Sequence, residues 1–501
     1  MTITLSGSSP ANRSLVTTTI VLASILPAID ATIANVALPS MGGSMSATPE
    51  QITWVLTSYI VSAAVMTPIT GWLANRFGRK RVFLVATLGF TIASGFCGIA
   101  QNLGEIIAFR ILQGALGAPL APLAQAVILD TYEYEERGPA MAAWSMGMMV
   151  APILGPLLGG YLTQTLEWRW VFYVNVPIGL LAALGVLTFI PADRKYSATR
   201  LDFAGWGLLS LFLIALQLML DRGQSKGWFG ASEIVIYALL AAIGLYMFVA
   251  HIVTTRNPFI SISLFRNRNL MTALVLMLVT CIEIFSAMAL LPLMMQSSMH
   301  YTASLAGLVL APRGIAAFFS SYLAGKLVGK VDDRLLILVG LGFFAASFWP
   351  LTGLAPDMDS RLIIFSGVLQ GMSNGLIFIP LSTMAYATLE PRLRGEATSL
   401  YGLARNLGGS IGISIMVAVH STFIQVAREE LTPFARADNP LMRPTPAYGW
   451  YDLGAPSQLM ALNAEIDRQA TFSAYASVFS VLFVMTILAA PLVLLLRAPK
   501  R

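Results

Sequence analysis

Five ionisable side chains fall inside long apolar stretches of this sequence, where no solvent is at hand to hold a charge: Asp30, Arg110, Glu283, Arg313 and Arg405. In hydrocarbon an ionised side chain is costly, so such residues face a partner, a water-filled cavity or a proton in transit. Asp30 stands in Asp30-Ala31-Thr32-Ile33-Ala34-Asn35-Val36-Ala37-Leu38-Pro39, a run of small and polar residues with Asn35 between one and two helical turns away. Withdrawing a carboxylate from water favours its protonated form, and a nearby cation favours the ionised one. A carboxylate held between those influences can load and release a proton. If Arg110 is the cation, relative movement of the two helices switches the affinity for protons. The other reading is a static Asp30–Arg110 tie that only holds the bundle together.

Glu283, in Thr280-Cys281-Ile282-Glu283-Ile284-Phe285, is a second candidate carboxylate, for protons or for a cationic ligand. Against this stands the reading that it lies within a turn of a helix end and meets water. Arg313, between Pro312 and Gly314, reads as structural, filling carbonyls freed by a proline kink. Arg405, in Arg405-Asn406-Leu407-Gly408-Gly409, reads as structural too, near enough to a membrane surface for its side chain to snorkel there. Asn35, Trp54, Tyr59, Gln113, Gln125, Gln296 and Asn374 are candidate cavity-lining residues beside many of the 23 methionines, whose soft side chains suit varied apolar ligands. Taken singly, each also fits ordinary helix packing. The two cysteines, Cys97 and Cys281, lie in apolar stretches and the three histidines are scattered. That distribution predicts no disulfide, no metal site and no enzymatic constellation.

The elements that must position these residues are membrane helices. Hydrophobic residues make up 56% of the 501 positions and charged ones only 11%, against about 25% charged in an ordinary soluble domain. Windows of spanning length predict fourteen helices: 15–39, 51–74, 82–100, 105–129, 140–164, 169–190, 203–220, 233–254, 270–295, 304–328, 335–353, 362–386, 397–424 and 472–496. An even number puts both termini on one side. Lys and Arg are retained in the cytoplasm during insertion, and 20 of the 31 fall on the side of the N-terminus. Both termini are therefore expected to be cytoplasmic, and the net charge of +6 reads as topology with no nucleic-acid surface required. Arg13 precedes an apolar run of spanning length, so the first span reads as a retained anchor.

The chain also repeats itself. The basic turn Gly71-Trp72-Leu73-Ala74-Asn75-Arg76-Phe77-Gly78-Arg79-Lys80-Arg81 has a fainter copy beginning at Gly325, 254 positions later, and Leu112-Gln113-Gly114 returns as Leu369-Gln370-Gly371 at an offset of 257. Paired helical halves are a construction used by secondary transporters. Six spans need roughly 200 residues at about 30 per span and connection. The longer offset leaves room for two extra helices, which gives an all-α integral membrane protein arranged six plus two plus six: residues 1–195, an insert at 196–262, and 263–501. The last part carries a polar, proline-containing loop at 425–471, where Tyr448, Trp450 and Tyr451 read either as a partner surface or as an aromatic anchor at the lipid interface. In the fifth span Gly147, Ala151, Gly155 and Gly159 recur every fourth residue, with Pro152 and Pro156 between them. Small residues at that spacing let helices approach closely, and the prolines keep the helix kinked.

On these residues the chain resembles the major facilitator superfamily, and within it the fourteen-span drug:proton antiporters of the EmrB type. Gly71, Asn75, Arg76, Gly78 and Arg79 are similar to that superfamily's cytoplasmic gate motif. Arg110 with Gln113-Gly114 is similar to the fourth-span motif linked to proton transfer. Gly147 to Gly160 is similar to the antiporter motif. The segments Asp30 to Pro39, Trp54 to Tyr59 and Trp170 to Gly179 look like stretches typical of the group. The resemblance implies a major facilitator fold in a bacterial inner membrane, with Asp30 as the coupling carboxylate, Arg110 as its counterpart and the Gly71 turn stabilising the outward-open state. It implies a proton gradient in place of any cofactor, contact with membrane lipid, and small hydrophobic or amphipathic substrates. In Gram-negative bacteria it also implies a periplasmic adaptor of the HlyD type with an outer-membrane channel, which the 425–471 loop fits. Asn75 departs from the pattern: an acidic residue usually stands there, so the gate's charge lock is expected to be weaker or to use another partner. Glu283 has no counterpart in the resemblance. Two other readings stay open, a dedicated exporter of one metabolite and a non-transporting receptor or scaffold.

Overall fold

Helix starts in this chain are marked by polar side chains that satisfy first-turn amides. Asn102 accepts from Glu105 N, Asp202 from Gly205 N, Asn267 from Leu270 N, Thr302 from Leu305 N, Asp332 from Arg334 N and Asp359 from Arg361 N. A helix interior pairs its own backbone, so only the ends need such help, and within hydrocarbon that self-sufficiency is obligatory. The computed structural model describes residues 10–191, 201–255, 258–356, 358–390, 393–434 and 456–497. Its main helices are α1 (Pro10–Ser44), α2 (Trp54–Met66), α3 (Thr70–Phe77), α4 (Arg79–Ile99), α5 (Leu103–Gly117), α6 (Leu120–Thr131), α7 (Tyr134–Thr165) and α8 (Asn175–Phe189). There follow α9 (Phe203–Lys226), α10 (Ser232–Thr254), α11 (Arg268–Ser297), α12 (Ala303–Leu327), α13 (Asp333–Phe348), α14 (Ser360–Ala387), α15 (Arg394–Leu431) and α16 (Pro456–Ala489).

Among the described residues, 13 helical segments are long and apolar enough to cross a membrane. The remaining expected span, 140–164, lies within α7, a helix of 32 residues. Two spans are interrupted: a short 3-10 turn, Thr67–Ile69, separates α2 from α3 in the second span, and the fourth span breaks between Gly117 and Leu120 at Pro119. Helices α1 to α8 pack among themselves, as do α11 to α16, while α9 and α10 form an antiparallel pair. The bundles meet along α7 with α12 and along α3 and α6 with α15. Helix α9 touches both, through α2 and α15.

The buried apolar residues show how the bundles are joined. One cluster runs through both bundles at the end that carries the Gly71–Arg81 turn, including Val16, Ile20, Val82, Ala140, Met141, Leu336, Tyr386, Ala397 and Tyr401. Toward the opposite end there are two separate clusters, one drawn from residues 25–172 and the other from 284–482. The halves therefore share a core at the gate end and have their own cores at the other.

The expected loop at 425–471 is shorter than hydropathy indicated. Helix α15 continues to Leu431, followed by a turn at Thr432–Phe434, and α16 already begins at Pro456. Hydropathy sees only the hydrocarbon-embedded part of a helix. The charged extensions are held instead by side-chain pairs at helical spacing, Arg468 with Glu465, and by Arg428 of α15 with Asn463 and Asp467 of α16. Tyr448, Trp450 and Tyr451 lie outside the described residues, as does the expected boundary at 195/196.

Candidate functional site

Asp30 lies in the middle of α1 with 1% of its surface exposed, and α5 brings Arg110, fully buried, against it. Arg110 Nη1 donates to Asp30 Oδ2 at 2.5 Å and to Gln113 Oε1 at 2.7 Å, and its Nε donates to the Val55 carbonyl of α2 at 3.0 Å. Gln113 Nε2 and Asn175 Nδ2 both donate to Asp30 Oδ1 at 2.9 Å, and Asn175 also donates to Ser94 Oγ. The guanidinium lies 4.3 Å from the Tyr59 ring centroid and 5.7 Å from that of Phe172. Five helices of one bundle thus contribute to the network around this carboxylate. Gln113 sits one helical turn beyond Arg110, which is why the i, i+3 spacing places both on Asp30. Both carboxylate oxygens accept hydrogen bonds, Oδ2 from Arg110 and Oδ1 from Gln113 and Asn175.

Tyr59 and Gln113, expected among cavity-lining residues, belong to this network instead. Asn175 and Ser94 were not singled out from the sequence, although an asparagine in the apolar run Val174-Asn175-Val176 is itself a signal. Of the other expected lining residues, Gln125 accepts from Tyr386 Oη at 3.1 Å, and Asn374 Nδ2 approaches Met149 Sδ at 3.5 Å, so both sit where the two bundles touch. Trp54 is half-buried, 5.8 Å from the Arg222 guanidinium, while Asn35 and Gln296 are exposed, Gln296 at the end of α11.

Glu283 lies midway along α11, fully buried, so the reading that it meets water at a helix end fails. Its Oε1 accepts from Thr486 Oγ1 of α16 at 3.1 Å and its Oε2 has no partner. Arg313 makes no hydrogen bond to the backbone around Pro312: α12 continues through that proline, and the side chain stays half-buried. Arg405 stands about 17 Å along α15, at 1.5 Å per residue, and lines a small cavity with Ala121, Pro122, Gln125, Tyr401 and Gly402.

The gate turn depends on two glycines. Gly78 adopts φ 87°, a conformation that L side chains resist, and lets α3 pass directly into α4. A Cβ on Gly71 would lie 2.7 Å from Glu396 N and 2.8 Å from the Gly395 carbonyl carbon, so the start of α15 sits against bare backbone. Gly71 N donates to Ser399 Oγ at 3.1 Å. Asn75 is half-buried and Arg76 exposed. Asp130, at the end of α6, pairs with Arg79 and, at 3.3 Å, with Arg394 of the other bundle. Asp130 thus joins the basic turn to the start of α15, a link that sequence spacing did not point to.

The small-residue face of α7 packs on α1 and not on the opposite bundle. A Cβ at Gly147 would meet Val21, one at Gly155 Thr32, and one at Gly159 Val36 and Ile33. This stripe seats the Asp30 helix. The side chains of Pro152 and Pro156 lie outside the described residues.

Two bundles of membrane helices related by an internal repeat, one of them holding a buried acid–base network, have the architecture of a secondary transporter. The sequence profile of the Major Facilitator Superfamily matches residues 20–413. The multidrug export protein EmrB of Haemophilus influenzae is 37% identical over 430 residues, covering 85% of this chain and 84% of that protein. The fatty acid resistance protein FarB of Neisseria gonorrhoeae is 36% identical, covering 84% of each. The crystal structure of the human organic anion transporter MFSD10 (TETRAN) superimposes with a TM-score of 0.62 at 14% identity, covering 96% of this chain and 100% of that one, which shows the shared fold. The chain belongs to the major facilitator superfamily, and within it to the EmrB-type multidrug exporters.

Proposed function

We propose that the protein is a proton-driven antiporter that exports hydrophobic or amphipathic compounds across a bacterial inner membrane, with both termini cytoplasmic. The observation that carries this reading is the Asp30 cluster. A buried carboxylate held by Arg110, Gln113 and Asn175 is a site at which a proton and a guanidinium compete. Drug and proton must prefer opposite conformations, because a ligand shifts an equilibrium only by its differential affinity for the two states. The shared core and the Arg79–Asp130–Arg394 contacts at the gate end support reading this conformer as closed to the cytoplasm, the state in which Asp30 would take up an external proton. Glu283, buried beside Thr486 in the other bundle, is a second proton carrier in this scheme.

Relatives named for multidrug export and for fatty acid resistance support an amphipathic cargo. A periplasmic adaptor of the HlyD type, with an outer-membrane channel, is the proposed partner, and the protruding ends of α15 and α16 are where it would engage. The test is transport in proteoliposomes with an imposed pH gradient. Asp30→Asn is expected to abolish proton-coupled efflux of a cationic dye while leaving the protein folded. Undiminished coupling in that variant would remove Asp30 from the mechanism.

A further inference from the structure

The stretch that joins the inserted pair to the second bundle is built into the core. Residues 258–266 lead from α10 toward α11 and contain the short helix Ile262–Arg266. A simple connection would run over the surface, whereas Phe259, Ile260 and Leu264 are buried in the cluster that the two bundles share at the gate end. Phe259 also lies against Phe248 of α10, with ring centroids 6.1 Å apart. The backbone of this connector is pinned as well: Ser261 N donates to Glu396 Oε2 at 3.0 Å. Glu396 stands in the first turn of α15, and its own backbone is what Gly71 of α3 meets.

The other end of the insert is fastened to the first bundle. Trp206, in the first turn of α9, donates from Nε1 to the Val65 carbonyl at 3.0 Å. Val65 is in the last turn of α2, where a helix leaves its carbonyls without internal partners, and it precedes Gly71 by six residues. Between these fastenings the insert is braced. Asp202 caps α9 through Gly205 N, and Nε2 of His251, in the last turn of α10, lies 2.9 Å from each of the Asp202 carboxylate oxygens. A continuous path thus leaves α2 at Val65, passes through α9, the Asp202–His251 contact and α10, and reaches α15 at Glu396, alongside the direct contact of Gly71 with α15.

From this geometry we infer that the inserted pair is a strap across the gate, with Trp206 and Glu396 as the positioning residues that fasten its two ends. The inference goes beyond the exporter reading, from which it takes only that the gate opens and closes. Opening carries the start of α15 away from Gly71 and the end of α2, so one fastening must then let go. The two hydrogen bonds act in series, because releasing either one frees the strap. The strap therefore adds to the closed state the weaker of the two bonds and not their sum. A helix start favours negative charge, so a Glu396 that served only the α15 dipole would act through its charge. A Glu396 that fastens the strap acts through its acceptor oxygen.

The test is the rate at which Ser321→Cys reacts with a maleimide in the purified full-length protein in phosphatidylcholine nanodiscs, read by mass spectrometry of the digested protein. Ser321 of α12 is 1% exposed and its Oγ lies 3.5 Å from Ser145 Oγ of α7, on the seam between the bundles that the strap does not touch. The native Cys97 and Cys281 are buried and report any general loosening in the same digest. In this background Trp206→Phe and Glu396→Ala are each expected to raise the rate about fivefold, the loss of roughly one hydrogen bond, with both native cysteines unchanged. The double variant should react no faster than the faster single one. Glu396→Gln, which keeps an acceptor oxygen, should stay near the starting rate. An unchanged rate in either single variant would overturn the inference even if its unfolding temperature falls, because that residue would then serve only its own neighbourhood. So would effects that multiply in the double variant, a Glu396→Gln rate as high as that of Glu396→Ala, or native cysteines that speed up alongside. Because the readout needs neither proton nor cargo, it stands apart from the Asp30 transport test. Failure of coupling there leaves this result intact, and a negative result here leaves proton-coupled export intact.

Discussion

At the residue scale, the Asp30–Arg110 pair illustrates why a buried ion pair says more about function than about stability. Taking both charges out of water costs about as much as their attraction returns, whereas removing one partner strands the other at roughly 3–5 kcal/mol. Arg110→Met is therefore expected to lower the thermal unfolding temperature more than the double change Asp30→Asn with Arg110→Met, which removes both charges. Differential scanning fluorimetry in one detergent compares them directly, and a double variant no more stable than Arg110→Met would show the pair is uncoupled. Neither protein should couple protons. Glu283 is a contrasting case: with one hydroxyl donor and no cation it can be replaced by Gln with little effect on folding, so a loss of coupling in Glu283→Gln would speak for a proton role rather than a structural one.

At the element scale, the gate end is a pair of equivalent backbone contacts related by the internal repeat. Gly71 of α3 meets Gly395 and Glu396 at the start of α15. Gly325 of α12 meets Gly138 and Pro139 at the start of α7. Gly395 follows Gly138 by 257 positions, the same offset that relates Gln113-Gly114 to Gln370-Gly371. Each bundle thus presents a glycine to the helix start of the other, and closure requires both. Gly71→Val is expected to hold the bundles apart at this end, raising the labelling rate of a cysteine introduced at Ser399 severalfold while the protein still inserts. Gly78→Ala acts differently: it forces a side chain into the positive-φ region at a cost of about 1–2 kcal/mol, so it should lower stability more than Gly71→Val while disturbing closure less.

At the scale of the whole molecule, α9 of the inserted pair bridges the two bundles at the end where their cores are separate. Thr57 of α2 donates to Asp221, the Leu220 carbonyl accepts from Ser414 of α15, and Gln224 donates to Ser421 at 3.1 Å. If the bundles rock, some of these contacts must break in each cycle. A disulfide between Gln224→Cys and Ser421→Cys, made in a background lacking Cys97 and Cys281, is expected to arrest transport and to release it on reduction. Full-rate transport with the bond in place would make α9 a passenger on the second bundle.

Hydrophobic pattern and charge asymmetry by themselves determined the class, the number of spans and the duplication, because hydrocarbon enforces helices of a fixed length and the repeat survives in glycines that backbone contact requires. They also marked Asp30 and Arg110, since ionisable residues in apolar runs have few innocent explanations. What only the tertiary structure decided was partnership. Nothing in the spacing brings Asn175 to Asp30 or Asp130 to Arg79 and Arg394, because these residues lie on helices far apart in the chain and meet only through packing. The same limit hid the surroundings of Arg313 and Arg405: position along a helix gives depth, but which way a side chain turns depends on the neighbouring helices.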